Sequence, residues 1–264
     1  MQAPPELLVV SDLDGTLLDH HTYSWTAAAP ALDMLRRGRH ALILASSKTA
    51  AEVDIIRSDI GFAEWPAVVE NGCGVLNPGA GAEDTGHEYQ GVRDLLADLP
   101  QGFRGFGDMS AGEVADLTGL SVEAACRAKQ RRFSEPGLWL GEGAELRRFI
   151  AGAEDAGLVV QRGGRFVTVS RGGTKADRVA ELVRRFSPGH TIVLGDAPND
   201  IDMLQLGDHG VIVANPDGPE IAMQPGEDTG RIRRTTRPGP DGWADAITDI
   251  LNELAQMRGE GNHG

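Results

Sequence analysis

The sequence predicts an α/β fold: a parallel-sheet core with an inserted α+β module. Three observations point to it. Short continuous apolar runs alternate with helical patterns, as in parallel sheets whose strands are buried on both faces. The polar residues of greatest chemical interest follow those runs directly, where ligands bind in open α/β sheets. A long internal stretch has a different texture, with three helical patterns and few strands.

Residues 7–10, 41–44, 67–69, 191–194 and 211–214 read as buried strands, each too short and too continuous for an amphipathic helix. Thr49 and Glu52, three apart, form a capping box ahead of Val53, Ile55 and Ile56. Thr174 is placed to cap a helix whose apolar stripe is Val179, Leu182, Val183 and Phe186. Trp243, Ile247, Ile250, Leu251 and Leu254 recur at helical spacing and predict a core-facing C-terminal helix.

The glycine-rich residues 79–86 read as a linker. Helical patterns follow over 92–99, 110–131 and 144–156, with Ser110 and Glu113 as a second capping box, and strands are expected at 138–140 and 165–169. The expected division is a core of residues 1–83 and 170–264 and an inserted module of residues 84–169.

Composition narrows the function. Of 264 residues, 25 are Lys or Arg and 39 are Asp or Glu, a formal charge of −14. That balance argues against a nucleic-acid partner, which needs a basic face, but leaves room for a phosphorylated substrate in a locally positive or metal-bearing site. No apolar stretch approaches the ~20 residues that span a bilayer, and the N-terminal MQAPPE lacks the basic and apolar segments of a signal peptide. The expectation is a soluble cytoplasmic protein with two reduced, buried cysteines, Cys73 and Cys126; nothing in the sequence indicates an oligomeric state.

Four clusters carry the chemistry. In SDLDGT, Asp12 and Asp14 are two apart on extended backbone and so face one side, with Gly15 allowing a sharp turn just after. One carboxylate suits a nucleophile and the other a proton donor. After the second strand, Ser46 and Ser47 offer hydroxyl and N–H groups at a helix start, an anion site. Lys175 opens a helix, where the dipole disfavours a cation, so a phosphate or a neighbouring carboxylate is expected beside it. In GDAPND, Asp196, Asn199 and Asp200 are hard oxygen ligands suited to Mg²⁺. Carboxylates crowded at one edge would repel each other and any phosphate, and a divalent cation with Lys175 resolves that.

DLDGT, the strand-end serine, the lone lysine and GDAPND, in that order, resemble the haloacid dehalogenase superfamily phosphatases. The resemblance implies a Rossmann-like core, a cap domain in the 84–169 insertion, and an aspartyl-phosphate mechanism. DLDGTLLDHHTYSW, LASSKTAAEV, ENGCGV, RRFSEP, GGRF and RPGPDGW further resemble the mannosyl-3-phosphoglycerate phosphatase family. That likeness implies hydrolysis of 2-O-mannosyl-3-phosphoglycerate to mannosylglycerate, a compatible solute. The glucosyl analogue, another phosphosugar phosphatase or mutase, and, remotely, a phospho-acceptor switch are the alternatives.

By position, the resemblance makes Asp12 the nucleophile, Asp14 the acid and base, Ser46 a phosphate ligand and Lys175 the residue orienting Asp12. Ser47 and Lys48 would assist at the phosphate. Mg²⁺ would be held by Asp12, the Asp14 carbonyl, Asp196 and Asp200, with Asn199 bracing them. Arg132, Ser134, Glu135 and Arg165 would read the glycerate carboxylate and sugar hydroxyls. Ser46, Ser47 and Lys48 stand where many superfamily relatives have Thr-Gly-Arg.

Overall fold

The computed structural model describes residues 4–79, 87–163 and 165–261, with side chains through Met257. The expected linker beyond Gly79 and the 83/84 boundary lie outside the described residues.

The elements in chain order are β1 (Leu7–Ser11), α1 (Ala29–Arg37), β2 (Ala41–Ala45), α2 (Ala50–Asp59), β3 (Ala67–Val69), β4 (Gly74–Leu76), α3 (His87–Ala97), β5 (Phe103–Gly105), α4 (Ala111–Thr118) and α5 (Val122–Ala128). They continue with β6 (Ser134–Trp139), α6 (Gly143–Asp155), β7 (Val159–Gly163), β8 (Phe166–Ser170), α7 (Lys175–Phe186), β9 (His190–Gly195), α8 (Ile201–Leu204), β10 (His209–Ala214), β11 (Ile232–Pro238) and α9 (Gly239–Gly261). No described helix is long and apolar enough to cross a membrane.

Two compact units emerge: Met1–Ser46 with Arg57–Ala67 and Lys175–Gly264, and Ser47–Ile56 with Val68–Thr174. A seven-stranded sheet runs in the order β11-β10-β9-β1-β2-β3-β4. β1 lies between β2 and β9, parallel to both, with Ser11 opposite Leu44 and Leu194. The chain leaves β1 for β2 on one side and later returns to β9 on the other. β1 is therefore the switch point where a crevice opens beyond the strand ends. Every residue of β1 and β2 is buried, which explains their unbroken apolar sequences.

α9 packs on α1, β10 and β11, burying the stripe of Trp243, Ile247, Ile250 and Leu254. β11 edges the sheet, and its arginines are each held by acids, Arg233 bidentately by Glu253 at 2.7 Å and Arg234 by Glu227 at 2.9 Å.

The second unit carries an antiparallel sheet in the order β5-β6-β8-β7. One face buries Val92, Leu146, Phe149, Ala153, Leu158, Val167 and Val169. Phe149 stacks on Phe103, with ring centroids 5.5 Å apart.

Three expectations need correction. The 110–131 pattern forms two helices: Gly119 takes φ 78° to close α4, and the Ser121 side chain caps α5. The strand expected at 138–140 spans Ser134–Trp139, because Ser134 to Gly137 pair with β8. Cys126 is exposed and Cys73 only half-buried; α5 turns Ala125 and Ala128 inward, which leaves Cys126 facing out.

Candidate active site

Asp12 is the first residue past β1. Its N–H donates to the Leu194 carbonyl at 3.0 Å, extending the β1–β9 ladder one step beyond the strand. Behind it the Trp243 indole N–H donates to Ser11 Oγ at 3.0 Å, and Ser11 Oγ donates to the Asp12 carbonyl at 2.6 Å. The chain then doubles back: Leu18 N–H reaches the Leu13 carbonyl at 2.8 Å, and Gly15 N–H the Leu18 carbonyl at 2.9 Å. Gly15 holds φ 81°, and a Cβ there would lie 2.7 Å from Asp196 Oδ2. Glycine is required on both counts.

Asp196 is likewise the first residue past its strand, β9. Thr16 Oγ1 donates to its Oδ1 and Asn215 Nδ2 to its Oδ2, each at 2.6 Å. Asp200, fully buried, accepts the N–H groups of Asp196 and Ala197 on Oδ2, both at 3.2 Å. Its Oδ1 accepts from Lys175 Nζ at 2.8 Å, and the same ammonium lies 2.5 Å from Asp12 Oδ1. Lys175 opens α7 and is itself buried.

Burial pushes the Asp12 carboxyl well above its usual range; Lys175 pulls the other way, and repulsion from Asp200 and Asp196 adds to the rise. Burial likewise raises Asp196, against its hydrogen bonds from Thr16 and Asn215. Burial opposes the Lys175 charge too, but Asp12 and Asp200 outweigh it and hold the ammonium above its normal value. Oxygens of Asp12, Asp196 and Asp200 lie within 4.8 Å of one another. Three carboxyl groups thus face one ammonium in a buried site. That donor set fits a hard divalent cation.

The remaining expected residues are distributed as follows. Ser46, buried, stands one residue past β2 in the same unit as Asp12. Asp14 is half-buried on the loop after β1, and Asn199 is exposed on the turn Pro198–Asp200. The others belong to the second unit. The Ser47 carbonyl accepts from Arg131 Nη1 at 2.9 Å, and the Lys48 carbonyl accepts from the Glu70 N–H at 2.9 Å. Arg132, through its N–H, and Ser134, through its N–H and hydroxyl, converge on the Glu70 carboxylate at 2.7–2.9 Å. Glu135, fully buried, accepts from the Tyr89 hydroxyl and, at 2.7 Å, from the Gly107 N–H, with Arg93 3.6 Å away. Arg165 is exposed, donating to the Leu117 carbonyl at 2.7 Å beside the Phe166 ring.

Thr16, Asn215 and Trp243 are site-building residues that sequence reasoning missed. Thr16 was in plain view inside DLDGT. Asn215 gave a weaker signal, the first polar residue after a buried strand.

The sequence model for the haloacid dehalogenase-like hydrolases matches residues 7–208. A glucosyl-3-phosphoglycerate/mannosyl-3-phosphoglycerate phosphatase of Persephonella marina is 31 % identical over 271 residues, covering 94 % of this chain and 98 % of its own. Among solved structures, a Thermoplasma acidophilum protein superposes with TM-score 0.65 at 16 % identity, over 95 % of this chain and 99 % of its own. The Synechocystis sucrose-phosphatase does so with TM-score 0.60 at 18 % identity, over 93 % and 98 %. These two likenesses bear on the fold. The sequence matches, which run over most of the chain, settle the kinship: it belongs to the haloacid dehalogenase-like hydrolases, as a phosphomonoester hydrolase.

Proposed function

We propose that this protein hydrolyses a 2-O-glycosyl-3-phosphoglycerate, with the mannosyl or the glucosyl sugar, to phosphate and the glycosylglycerate, a step in compatible-solute synthesis in the cytoplasm. The observation that carries the reading is the 31 % identity to a phosphatase named for both substrates, end to end along both chains.

In this reading a carboxylate oxygen of Asp12 attacks phosphorus, and the glycerate alkoxide leaves with a proton from Asp14. Asp14 then takes a proton from water, which attacks the aspartyl-phosphate and restores Asp12. Lys175, 2.5 Å from Asp12 Oδ1, keeps the nucleophile ionised against its burial and fixes its orientation. Ser46, with backbone help from Ser47 and Lys48, holds the phosphoryl oxygens by hydroxyl and N–H groups. Mg²⁺ would be held by Asp12, the Asp14 carbonyl, Asp196 and Asp200, with Asn199 in support, and when bound it would offset phosphoryl charge. Residues 84–169 serve as the cap, where Arg132, Ser134, Glu135 and Arg165 select the sugar and glycerate; an arginine fork matches a carboxylate.

The test is phosphate release with Mg²⁺ from mannosyl- and glucosyl-3-phosphoglycerate, with Asp12→Asn and EDTA as controls. Release from either, abolished by both controls, is the expected result. Release from simple phosphosugars alone would remove the glycosylglycerate assignment while leaving the nucleophile in place.

A further inference from the structure

Glu70, in the ENGCGV string, has no part in the chemistry above, yet it is one of the most constrained side chains in the protein. It follows β3 and is 1 % exposed. Three consecutive residues here lie in the left-handed region: Glu70 at φ 49°, Asn71 at 60° and Gly72 at 97°. Glycine adopts that conformation freely, but a glutamate resists it and holds it only where its surroundings fix it from several sides.

Those surroundings are explicit. Glu70 Oε1 accepts the Arg132 N–H at 2.9 Å. Oε2 accepts the N–H groups of Phe133 at 3.2 Å and Ser134 at 2.9 Å, and the Ser134 hydroxyl at 2.7 Å. One buried carboxylate thus receives four hydrogen bonds from a single three-residue segment. On its other side the Glu70 N–H donates to the Lys48 carbonyl at 2.9 Å. Residues 47–49 also meet the chain just ahead of that segment, Arg131 Nη1 donating to the Ser47 carbonyl at 2.9 Å and Thr49 Oγ1 to the Arg127 carbonyl at 3.0 Å. Asn71 and Gly72 anchor the turn: Asn71 Nδ2 donates to Gln161 Oε1 at 2.8 Å, and the Gly72 carbonyl sits where a Cβ on Gly173 would lie 2.6 Å away.

We propose that Glu70 is a positioning residue for specificity: its carboxylate and N–H hold residues 132–134 in fixed register with residues 47–49, so that the glycosylglycerate and phosphate ends of the substrate are read at a set spacing. The inference rests on the reading above in which Ser47, Lys48, Arg132 and Ser134 face the substrate. Ionised carboxylate acceptors give stronger, shorter hydrogen bonds than neutral ones, and removing this one leaves three N–H groups without their acceptor.

The test uses Glu70→Gln and Glu70→Gly with two substrates, a glycosyl-3-phosphoglycerate and p-nitrophenyl phosphate, which carries the phosphoryl group without sugar or glycerate. Both variants are expected to lower the ratio of kcat/KM for the first over the second by about tenfold or more, through KM. Glu70→Gly accepts the positive φ freely, so its loss reports the carboxylate and not the backbone. A ratio within about twofold of wild type, whether both activities fall together or neither moves, overturns the proposal. Amide hydrogen exchange adds a readout that needs no substrate. The N–H groups of Arg132, Phe133 and Ser134 should be protected in the wild type and lose that protection in Glu70→Gln. Exchange in the wild type as fast as in an exposed loop overturns the proposal, even if neither variant folds. Wild type that cleaves p-nitrophenyl phosphate but no glycosyl-3-phosphoglycerate removes the functional reading by itself, and exchange then decides whether Glu70 holds the segment.

Discussion

Lys175 stands at the first residue of a helix, where the dipole repels a cation, yet its Nζ lies 2.8 Å from Asp200 Oδ1 and is buried. Asp12, 2.5 Å away, completes the bridge. The dipole penalty, about 0.3–1 kcal/mol, is small beside two buried carboxylates that need a counter-charge. Asp200 also gathers two backbone N–H groups on its other oxygen, so the lysine docks on a carboxylate already locked in place.

Lys175→Met should therefore cost stability as well as turnover. Removing one partner of a buried ion pair typically destabilises by about 3–5 kcal/mol, and here two carboxylates lose theirs. Denaturant unfolding without metal should show a loss of that order, and phosphate release should become undetectable. A variant as stable as wild type would mean that the two aspartates already share a proton.

Gly15→Ala combines a left-handed backbone with a collision. Its Cβ would lie 2.7 Å from Asp196 Oδ2, so Asp196 has to turn away from Asn215 or the loop has to shift. We expect a loss of about 1–3 kcal/mol in equilibrium unfolding and weaker divalent-cation binding by calorimetry. Unaltered cation binding would detach the loop from the acidic cluster.

Divalent cation should stabilise the fold, because the buried carboxyl groups of Asp12, Asp196 and Asp200 crowd together and Lys175 bridges Asp12 and Asp200. At a concentration about 100 times Kd, linkage gives about 2.7 kcal/mol, which is several degrees in Tm for a chain of this size. Asp196→Asn should remove most of that increment. Equal Tm with Mg²⁺ and with EDTA would count against a metal site here.

Glu113 supplies a pH dependence away from the site. Hydrogen bonds from the Ser110 N–H, from Arg104 and from the Ser110 hydroxyl lower its pKa from 4.5 to about 2. The folded value lies below the unfolded one, so its contribution is complete above pH 4.5 and drains as pH falls toward 2. Glutamine keeps the capping-box geometry but not the charge. Glu113→Gln should therefore be less stable than wild type at pH 7, with the gap closing in acid below pH 4.5. A gap that persists at low pH would assign the loss to geometry.

The sequence showed the core strands and the acidic edge beyond them clearly, because both obey local rules. β1, β2 and β9 are buried on both faces and so are continuously apolar, and Asp12, Ser46 and Asp196 come at their ends. β11 obeyed no such rule. Its sequence, IRRTTRP, is polar, and only Ile232 is deeply buried; its place at the sheet edge depends on acids far along the chain, such as Glu253. Gly119 offered a local signal for the break between α4 and α5, but the helical periodicity around it masked the signal. The partners of Asp196 were hidden for another reason: Thr16 is 180 residues away, and no spacing rule links positions so distant. Glu135 shows the same limit: Tyr89 and Gly107, which donate to its carboxylate, lie 46 and 28 residues away.

That distance has a consequence for the life of the chain. Asp12 and Thr16 are made well before the side chains that meet them in the fold. Lys175 follows Asp12 by 163 positions, Asp196 follows Thr16 by 180, and Trp243, which supports the strand behind Asp12, follows Ser11 by 232. Synthesis proceeds from the N-terminus at about 5–20 residues per second, so Asp12 waits many seconds for its lysine and longer for the indole. A chain that stops short of Lys175 therefore carries Asp12 without the counter-charge that faces it in the fold.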